Sequence, residues 1–391
     1  MKLASAALIV VAAFLLIAAD SGSVGIGDGL TVHEWGTFTS VAGEDGSSVD
    51  WDALGCSSDL PKFVNDFGYR NFKVRLTGTV RMETPVVYFY SQREVRAHVK
   101  VAFPQGVITE WYPRADHGIY RSASDGSVRR IDPNLIWTNP SMHNMFGALE
   151  WNDVDVQPGT TPALPLESGP SHYYAARTTD SAPVAVGDQH EKFLFYRGVG
   201  HFAIPLSARV LNYGKVALAN QGQAIPVAFL FENRGGRIGF RNVSGFGEST
   251  TVDSPQLDAS FAQLRGALER ALTAQGLFPK EAQAMVETWK DSWFEEGSRL
   301  IYIFPQAAVD QVLPLQIEPA PQKTSRVFVG RMELITPTTT RAVETAIAQR
   351  DWAAIRPYRR FMEPILSRIS QGDSSKMQQL REQVYAAGQC R

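Results

Sequence analysis

The stretch "EVRAHVKVAF", residues 94–103, decides the fold class, because its polar and apolar residues alternate from Glu94 to Val101. An extended chain turns successive side chains to opposite faces, so the apolar residues share one face, namely Val95, Ala97, Val99, Val101 and Phe103. The other face carries three charged residues, a histidine and, at its end, Ala102. Alternation of this kind is typical of a β-strand that buries one side, and it predicts a sheet in this part of the chain.

The same signal recurs from about residue 30 to residue 250. The runs "PVVYFYS", "VITEWYP", "EKFLFYRG" and "PVAFLFEN" are rich in β-branched and aromatic residues, and Pro, Gly or Asn bounds them. Turn residues at 212–214 and 233–236 predict two β-hairpins, and "TVHEWGTFTS", residues 31–40, is the first predicted strand. Many short strands without helices between them indicate a mainly antiparallel, β-sandwich-like region, or alternatively a distorted barrel.

Helical periodicity replaces this pattern near residue 251. Apolar residues at helical spacing predict one helix that Ser254 caps and Gly276 stops. A second helix follows Pro279 and ends at Gly297, and the two together form a helical hairpin. Two strand-like runs, "RLIYIFP" and "RVFVGRMELI", come next, and further helices are predicted after Thr336. The sequence therefore predicts an α+β protein with a β-rich domain at residues 30–250 and an α+β region at residues 251–391.

The first residues predict export. Lys2 precedes an uncharged, almost wholly apolar run at residues 3–19, and the run ends on two alanines. A positive start, an apolar core and small residues at the end are typical of a secretory signal peptide. We therefore assign residues 1–19 to a signal peptide and the Gly/Ser-rich residues 20–29 to a tether. The alternative is an uncleaved membrane anchor, since the run approaches the ~20 residues that a membrane span needs.

Composition and charge exclude some partners. The 391 residues carry a formal net charge of -2, so no positive surplus draws the protein to nucleic acid or to an anionic membrane surface. Membrane contact is expected only through an uncleaved leader.

The two cysteines, Cys56 and Cys390, either form a disulfide in the exported chain or remain two separate thiols. No histidine spacing matches a zinc motif, and we expect neither a metal nor a cofactor.

Three Glu-Trp dipeptides, at residues 34–35, 110–111 and 150–151, raise the question of a carbohydrate site. Paired carboxylates beside indole rings suit glycoside hydrolysis, because the two acids act at the glycosidic bond while an aromatic ring stacks on the sugar. Alternation, however, places Glu34 on the face of its strand opposite to His33 and Trp35, which favours a structural role. If the protein is a hydrolase, we expect Glu34 and Glu83 to be the catalytic carboxylates, in a cleft lined by His33, Trp35 and Trp111.

An acidic stripe runs along the second predicted helix. Glu287, Asp291 and Glu295 lie four residues apart. Such a stripe opposite the apolar residues is typical of the solvated side of a helix, so we expect a structural role for it.

Four stretches carry a resemblance to known sequences, and they read "VHEWGTFTSVAGEDG", "RMETPVVYFYS", "FLFYRGVGHF" and "VGRMELITP". They resemble stretches of a group of exported bacterial proteins of unknown function, and they are spread over most of the chain after the leader. The resemblance implies export and a bacterial source, and it implies no fold, substrate or catalytic residue. Two of the stretches share the letters Arg-Met-Glu, at residues 81–83 and 331–333, shortly before a Thr-Pro step.

These observations lead to two hypotheses about function. We expect an exported protein of the periplasm or the extracellular space that acts as a binding or structural component. Its partner is an extracytoplasmic ligand, for which a carbohydrate is one candidate. The alternative is a secreted, glycosidase-like hydrolase of an envelope or extracellular polysaccharide. Two carboxylates on one concave surface favour the hydrolase, whereas an exposed aromatic or apolar patch favours the binding protein.

Overall fold

The computed structural model describes residues 29–54, 60–68, 77–122, 127–132, 145–169 and 171–386. The signal peptide, nearly all of the tether, and both Cys56 and Cys390 lie outside these residues, so the assignments made for them stay predictions. Within the described ranges, no helix is both long enough and apolar enough to cross a membrane.

Strands predominate in the N-terminal two thirds of the described residues, and the α-helices lie mainly towards the C-terminus. The strands are β1 (Thr31–Ala42), β2 (Trp51–Asp52), β3 (Asn65–Asp66), β4 (Thr77–Gly78), β5 (Val80–Tyr90), β6 (Val95–Phe103), β7 (Gly106–Tyr112), β8 (Asp116–Ser122), β9 (Val128–Arg130), β10 (Met145–Val156), β11 (Val184–Val186), β12 (Gln189–Glu191), β13 (Leu194–Gly200), β14 (Leu206–Val210), β15 (Val216–Asn220), β16 (Ala228–Arg234), β17 (Arg237–Val243), β18 (Ser249–Val252), β19 (Gly297–Phe304), β20 (Leu315–Glu318) and β21 (Lys323–Leu334). The α-helices are α1 (Phe261–Ala274), α2 (Pro279–Trp293), α3 (Gln306–Val312), α4 (Pro337–Gln349), α5 (Trp352–Ile355), α6 (Met362–Ser370) and α7 (Ser374–Ala386).

Nine strands form a central sheet in the order β17-β16-β19-β21-β1-β5-β13-β7-β3. β1 runs parallel to β21, and every other neighbouring pair in this sheet is antiparallel. A second sheet contains β12-β11-β10-β6-β20 with β8 and β9 at its side, while β14-β15-β18 and β2-β4 form two small sheets. The predicted α+β class with large antiparallel sheets is confirmed.

The central sheet separates two apolar layers. One face packs against the second sheet, in a layer that includes Phe38 of β1, Val87 of β5 and Trp151 of β10. The opposite face packs against α1 and α2, in a layer that includes Trp35 and Leu268. The two sheets therefore enclose a sandwich-like core, and the helical hairpin covers the outer face of the central sheet.

Local patterns predicted several elements correctly. β6 alternates as expected, and its residues Ala97, Val99, Val101 and Phe103 are buried. The two predicted hairpins are present as β14-β15 and β16-β17. The second helix of the hairpin begins at the predicted Pro279.

The helix α1 begins later than predicted. Its start is fixed by a capping box, in which the Ser260 hydroxyl accepts the Gln263 N–H and the Gln263 side chain accepts the Ser260 N–H. The predicted cap, Ser254, instead donates its hydroxyl to the Gly214 carbonyl at 2.6 Å. This bond ties Ser254 to the turn between β14 and β15, so the helix starts only at Phe261.

The parallel pairing of β1 with β21 joins segments that are 292 residues apart in the chain. β19 and β21 belong to the predicted α+β region, yet they lie between β16 and β1 in the central sheet. The sheet therefore crosses residue 250, and the division into residues 30–250 and 251–391 stays a prediction.

Candidate functional site

The four stretches that carry the resemblance lie on neighbouring strands at the centre of the sheet. They contribute β21, β1, β5 and β13, which lie side by side in this order. The two Arg-Met-Glu segments flank the same residue of β1, since Arg81 of β5 and Arg331 of β21 both lie opposite Thr39. The four stretches therefore form one continuous block at the centre of the sheet.

His33 and Trp35 point into the apolar layer beneath α1 and α2, on the same face of β1 as alternation predicts. The His33 Nδ1 lies 2.8 Å from the Glu281 Oε2 on α2, and both side chains are fully buried. Glu281 also accepts the Tyr90 hydroxyl at 2.9 Å and the Phe278 N–H at 2.7 Å. This network fastens β1 and β5 to the first turn of α2, so the face that carries His33 and Trp35 belongs to the core.

Glu34 points to the opposite face of β1, into the layer shared by the two sheets. Its carboxylate accepts the Arg326 Nε at 2.6 Å and the Tyr196 hydroxyl. Arg326 also donates to Asp310 at 2.8 Å. Glu34 is fully buried and Arg326 nearly so, and a carboxylate held in this way has the contacts of a structural ion pair.

Glu83 reaches the helix-covered face because β5 carries an extra residue. Where β1 advances from Trp35 to Thr37, its partner on β5 moves from Val86 to Glu83, so three steps on β5 match two on β1. Thr84 in this bulge has a φ of 47°, in the left-handed region that β-branched residues rarely adopt. The extra residue reverses the alternation of β5, and it turns Glu83 to the face that also carries Trp35.

Arg197 of β13 supports this bulge. Its Nε and Nη2 each donate to the Thr84 Oγ1 at 3.3 Å, and both side chains are buried. The pairings of β13 with β5 and with β7 also change register next to Arg197. Bulges and strained residues are concentrated near functional sites, so the neighbourhood of Thr84 is a candidate for one.

The structure does not bring the expected carboxylates Glu34 and Glu83 together. Glu34 pairs with Arg326 in the layer between the sheets, whereas Glu83 pairs with Arg360 on the opposite face. Arg360 donates to the Ser292 hydroxyl at the end of α2 at 2.7 Å, which places Glu83 on the helix side. Two carboxyl groups that hydrolyse a glycoside must flank one bond, and a sheet separates these two.

The other two Glu-Trp dipeptides lie elsewhere in the two sheets. Trp111 on β7 is buried and stacks on His117 with ring centroids 4.2 Å apart, and Glu110 beside it is fully buried. Burial lowers the pKa of His117 to about 4. Glu150 lies on β10 of the second sheet, where its carboxylate is 2.8 Å from His98. The three dipeptides do not converge on one surface, and Trp111 does not share a cleft with His33 and Trp35.

Charged and hydroxyl side chains occupy one end of the helix-covered face, and we call this group the polar patch. By strand register and alternation it comprises Thr37, Thr39, Arg81, Glu83, Arg299, Arg331 and Glu333. The Glu333 Oε2 accepts the Arg331 Nη2 at 3.0 Å and the Arg299 Nε at 3.2 Å. Glu333 therefore joins two buried arginines from neighbouring strands.

The C-terminal end of α2 covers the polar patch. Arg331 donates its Nε to the Ser292 carbonyl at 3.2 Å, and its Nη2 also pairs with Glu295. Arg299 donates its Nη1 to the carbonyls of Trp293 and Glu295 at 2.9 and 2.6 Å. The two arginines thus satisfy carbonyl groups that end a helix, where the helix dipole also favours positive charge.

A cleft opens between α1 and the end of α2, and we call it the α1–α2 cleft. It has a volume of about 330 Å³ and is lined by Phe261, Arg265, Lys290, Asp291, Phe294 and Glu295. The rings of Phe261 and Phe294 have their centroids 5.9 Å apart, and Phe261 is 44% exposed. Aromatic side chains with a few polar groups, in a cleft of this size, are typical of small-molecule sites.

Ion pairs hold the charged edge of the α1–α2 cleft. Glu287 accepts Arg265 at 2.9 Å and Lys290 at 2.5 Å, and the hydrogen bond from Lys290 lowers the pKa of Glu287. Asp291 lies 3.2 Å from the Nε2 of His172. The edge therefore presents charges of both signs in fixed positions.

Glu295 connects the α1–α2 cleft to the polar patch. It lines the cleft, and its carboxylate pairs with Arg331 behind it. Burial raises the pKa of Glu295 to about 7, although the neighbouring Arg331 and Arg299 act in the opposite direction. A group that exchanges its proton near neutral pH therefore lies between the two features.

Sequence patterns did not indicate this cleft. The acidic stripe of α2 was expected to be solvated, and Glu287 and Asp291 are indeed partly exposed. The prediction was wrong for Glu295, because α2 ends at Trp293 and Glu295 lies beyond the helix. Glu295 is only 22% exposed, since Arg331 reaches it from β21. Periodicity along one helix reports nothing about a partner from a distant strand, so the sequence carried no signal for Glu295.

In comparisons with known proteins, no protein-family model matches the chain and no curated protein matches it.

Proposed function

We propose that the protein is an exported binding protein of the cell envelope or the extracellular space, and that it takes a small ligand into the α1–α2 cleft. The predicted signal peptide and the resemblance to exported bacterial proteins support export. One observation carries the proposal of binding: an exposed ring and a second aromatic side chain line a cleft whose edge carries charges of both signs. Single exposed apolar residues are ordinary, but such a ring in a concave, charged setting is typical of a ligand site.

The cleft suits a ligand that presents one apolar face and several polar groups. The rings of Phe261 and Phe294 can pack against the apolar face, while Arg265 donates and Asp291 accepts hydrogen bonds. A sugar ring has both properties, since its C–H face is apolar and its hydroxyl groups donate and accept. An oligosaccharide is therefore the first class of ligand to test.

Isothermal titration calorimetry with soluble chitin, cellulose and uronic-acid oligomers tests this proposal. Phe261→Ala is expected to weaken binding at least about tenfold, because it removes the exposed ring at the site. Leu166→Ala is the matched control, since Leu166 is 75% exposed and does not line the cleft. An unchanged affinity for Leu166→Ala supports the proposal. Equal losses in the two variants, or no binding of any oligomer to the wild type, contradict it.

A secreted polysaccharide hydrolase is the second candidate, and one observation favours it. Asp291 and Glu295 line the same cleft, and Asp291 is 65% exposed whereas Glu295 is mostly buried. One buried and one exposed carboxyl group in a single cleft can divide the acid and base roles of glycoside hydrolysis. This pair replaces the expected Glu34 and Glu83.

A reducing-sugar assay on soluble polysaccharides tests the hydrolase. If the wild type releases sugar, Asp291→Asn and Glu295→Gln are each expected to slow the release at least about 100-fold. Glu150→Gln serves as the control, because Glu150 is a partly exposed carboxyl group of the second sheet and does not line the cleft. A wild type that releases no sugar, or an active Glu295→Gln variant, removes this candidate.

A further inference from the structure

Three buried donors of the polar patch have no hydrogen-bond partner among the residues that the structure describes. They are the hydroxyl groups of Thr37 and Thr39 and the Nη1 of Arg331. All three side chains are fully buried. Buried donors without partners are rare in folded proteins, because each has lost its bonds to water. Three such donors in one place therefore indicate a common partner.

The three donors are neighbours on one face of the central sheet. Thr37 and Thr39 are two residues apart on β1, so their side chains point the same way. Thr39 lies opposite Arg331 of β21, and on its other side opposite Arg81 of β5. Neighbouring strands are about 4.8 Å apart, a distance that one small acceptor between two side chains can bridge.

The chemistry of the donors restricts what this partner can be. A guanidinium Nη1 only donates hydrogen bonds, so the partner of Arg331 must be an acceptor. The two threonine hydroxyls can donate to the same acceptor. A cation is therefore excluded, and the choice is between an anion and a water molecule.

The surrounding charge favours an anion. Arg299 and Arg331 are both fully buried and share two carboxyl groups, Glu333 and Glu295. Burial raises the pKa of Glu295 to about 7, so at neutral pH this carboxyl group is only partly ionised and the four groups keep a positive surplus. Burial and the nearby Arg299 also lower the pKa of Arg331, although Glu295 and Glu333 act in the opposite direction. A single negative charge beside Arg331 completes the balance.

We propose that Thr37, Thr39 and Arg331 form a buried site for one small inorganic monoanion, of which chloride is the simplest. The bound anion joins β1 to β21 beneath the end of α2 and stabilises the centre of the sheet. This role does not depend on what the α1–α2 cleft binds.

Thermal unfolding at constant ionic strength tests the anion site. As sodium chloride replaces sodium gluconate, the midpoint for the wild type is expected to rise and then level off, by about 1–3 °C in total. Thr39→Val keeps the shape of the side chain but removes a donor, and it is expected to abolish this rise. Thr288→Val is the matched control, since Thr288 is also buried but donates its hydroxyl to the Ala284 carbonyl at 2.7 Å. It is expected to keep the full chloride dependence.

Crystals of the wild type soaked in sodium bromide give a second readout that requires no variant to fold. An anomalous scattering peak beside Thr39 and Arg331 is the expected result. Density for water alone, with no anomalous signal and no effect of chloride on the midpoint, overturns the proposal. Full chloride dependence in Thr39→Val overturns it as well, because the anion then binds elsewhere.

Discussion

Replacing Glu34 with glutamine tests whether this residue holds the fold together. In the wild type its buried carboxylate accepts the Arg326 Nε at 2.6 Å and the Tyr196 hydroxyl. Glutamine keeps the size of the side chain but removes the negative charge. The buried Arg326 guanidinium then retains Asp310, which is half exposed, as its acidic partner among the described residues. Breaking a buried ion pair from one side costs about 3–5 kcal/mol, so we expect Glu34→Gln to lower the free energy of unfolding by that amount.

A double-mutant cycle separates the ion pair from other effects of the substitution. Arg326→Met is expected to lower the free energy of unfolding by about as much as Glu34→Gln. The loss in the double variant is expected to be about 2 kcal/mol smaller than the sum of the two single losses. Urea denaturation followed by tryptophan fluorescence measures each free energy of unfolding. Glu150→Gln is the matched control, because Glu150 also precedes a tryptophan but is 35% exposed beside His98, and its expected change is below about 1 kcal/mol. A Glu34→Gln variant as stable as the wild type refutes this reasoning.

The stability of the protein is expected to depend on pH through Glu295. Burial raises the pKa of the Glu295 carboxyl group from 4.5 to about 7, so the folded protein holds the proton of this group more tightly than the unfolded chain does. The stability that this proton contributes is complete below pH 4.5 and is lost as the pH rises to 7. Between pH 4.5 and 7.5 the free energy of unfolding of the wild type, measured by urea titration, is expected to fall by up to about 3 kcal/mol more than that of Glu295→Gln. Parallel curves for the two proteins would contradict this expectation. His117 is expected to stay neutral at pH 5.5, because burial lowers its pKa to about 4; an NMR titration with a midpoint near 6.5 would be inconsistent with its place beside Trp111. Gly330→Ala is expected to lower the free energy of unfolding by about 1–3 kcal/mol, since a Cβ there lies 2.2 Å from the Tyr302 ring, whereas Gly247→Ala, with nothing within 4 Å, should change it by less than about 0.5 kcal/mol. Equal effects in a denaturation experiment would count against the packing of β21 on β19.

Local patterns were sufficient for much of the secondary structure, because alternation and helical periodicity report burial along a single element. β6 and the two hairpins appear where the apolar residues and turn residues place them. The same alternation predicted that Glu34 points away from His33 and Trp35. In the structure Glu34 lies on one face of β1, and His33 and Trp35 lie on the other. Among the described residues the expected cleft around His33 and Trp35 is absent, because α2 covers this face of β1, and the position of α2 does not follow from a local pattern.

Long-range contacts account for what the sequence did not reveal. The parallel pairing of β1 with β21 leaves no local pattern, yet it brings Arg326 to Glu34 and Arg331 to the polar patch. The bulge at Thr84 reverses the alternation of β5, so Glu83 faces the helices rather than the side to which Glu34 points. Glu34 and Glu83, which residue types alone suggested as a catalytic pair, therefore lie on opposite faces of the central sheet.

Hydrogen–deuterium exchange of the wild type, with and without saturating amounts of the oligosaccharide that binds most tightly, tests the central claim most directly. The claim is that the ligand occupies the α1–α2 cleft and that the strand carrying His33, Glu34 and Trp35 is core. We predict slower exchange at residues 261–265 and 290–295 in the bound protein, and unchanged exchange at residues 31–42. Slower exchange confined to β1 and β5, with the cleft residues unchanged, would contradict this claim.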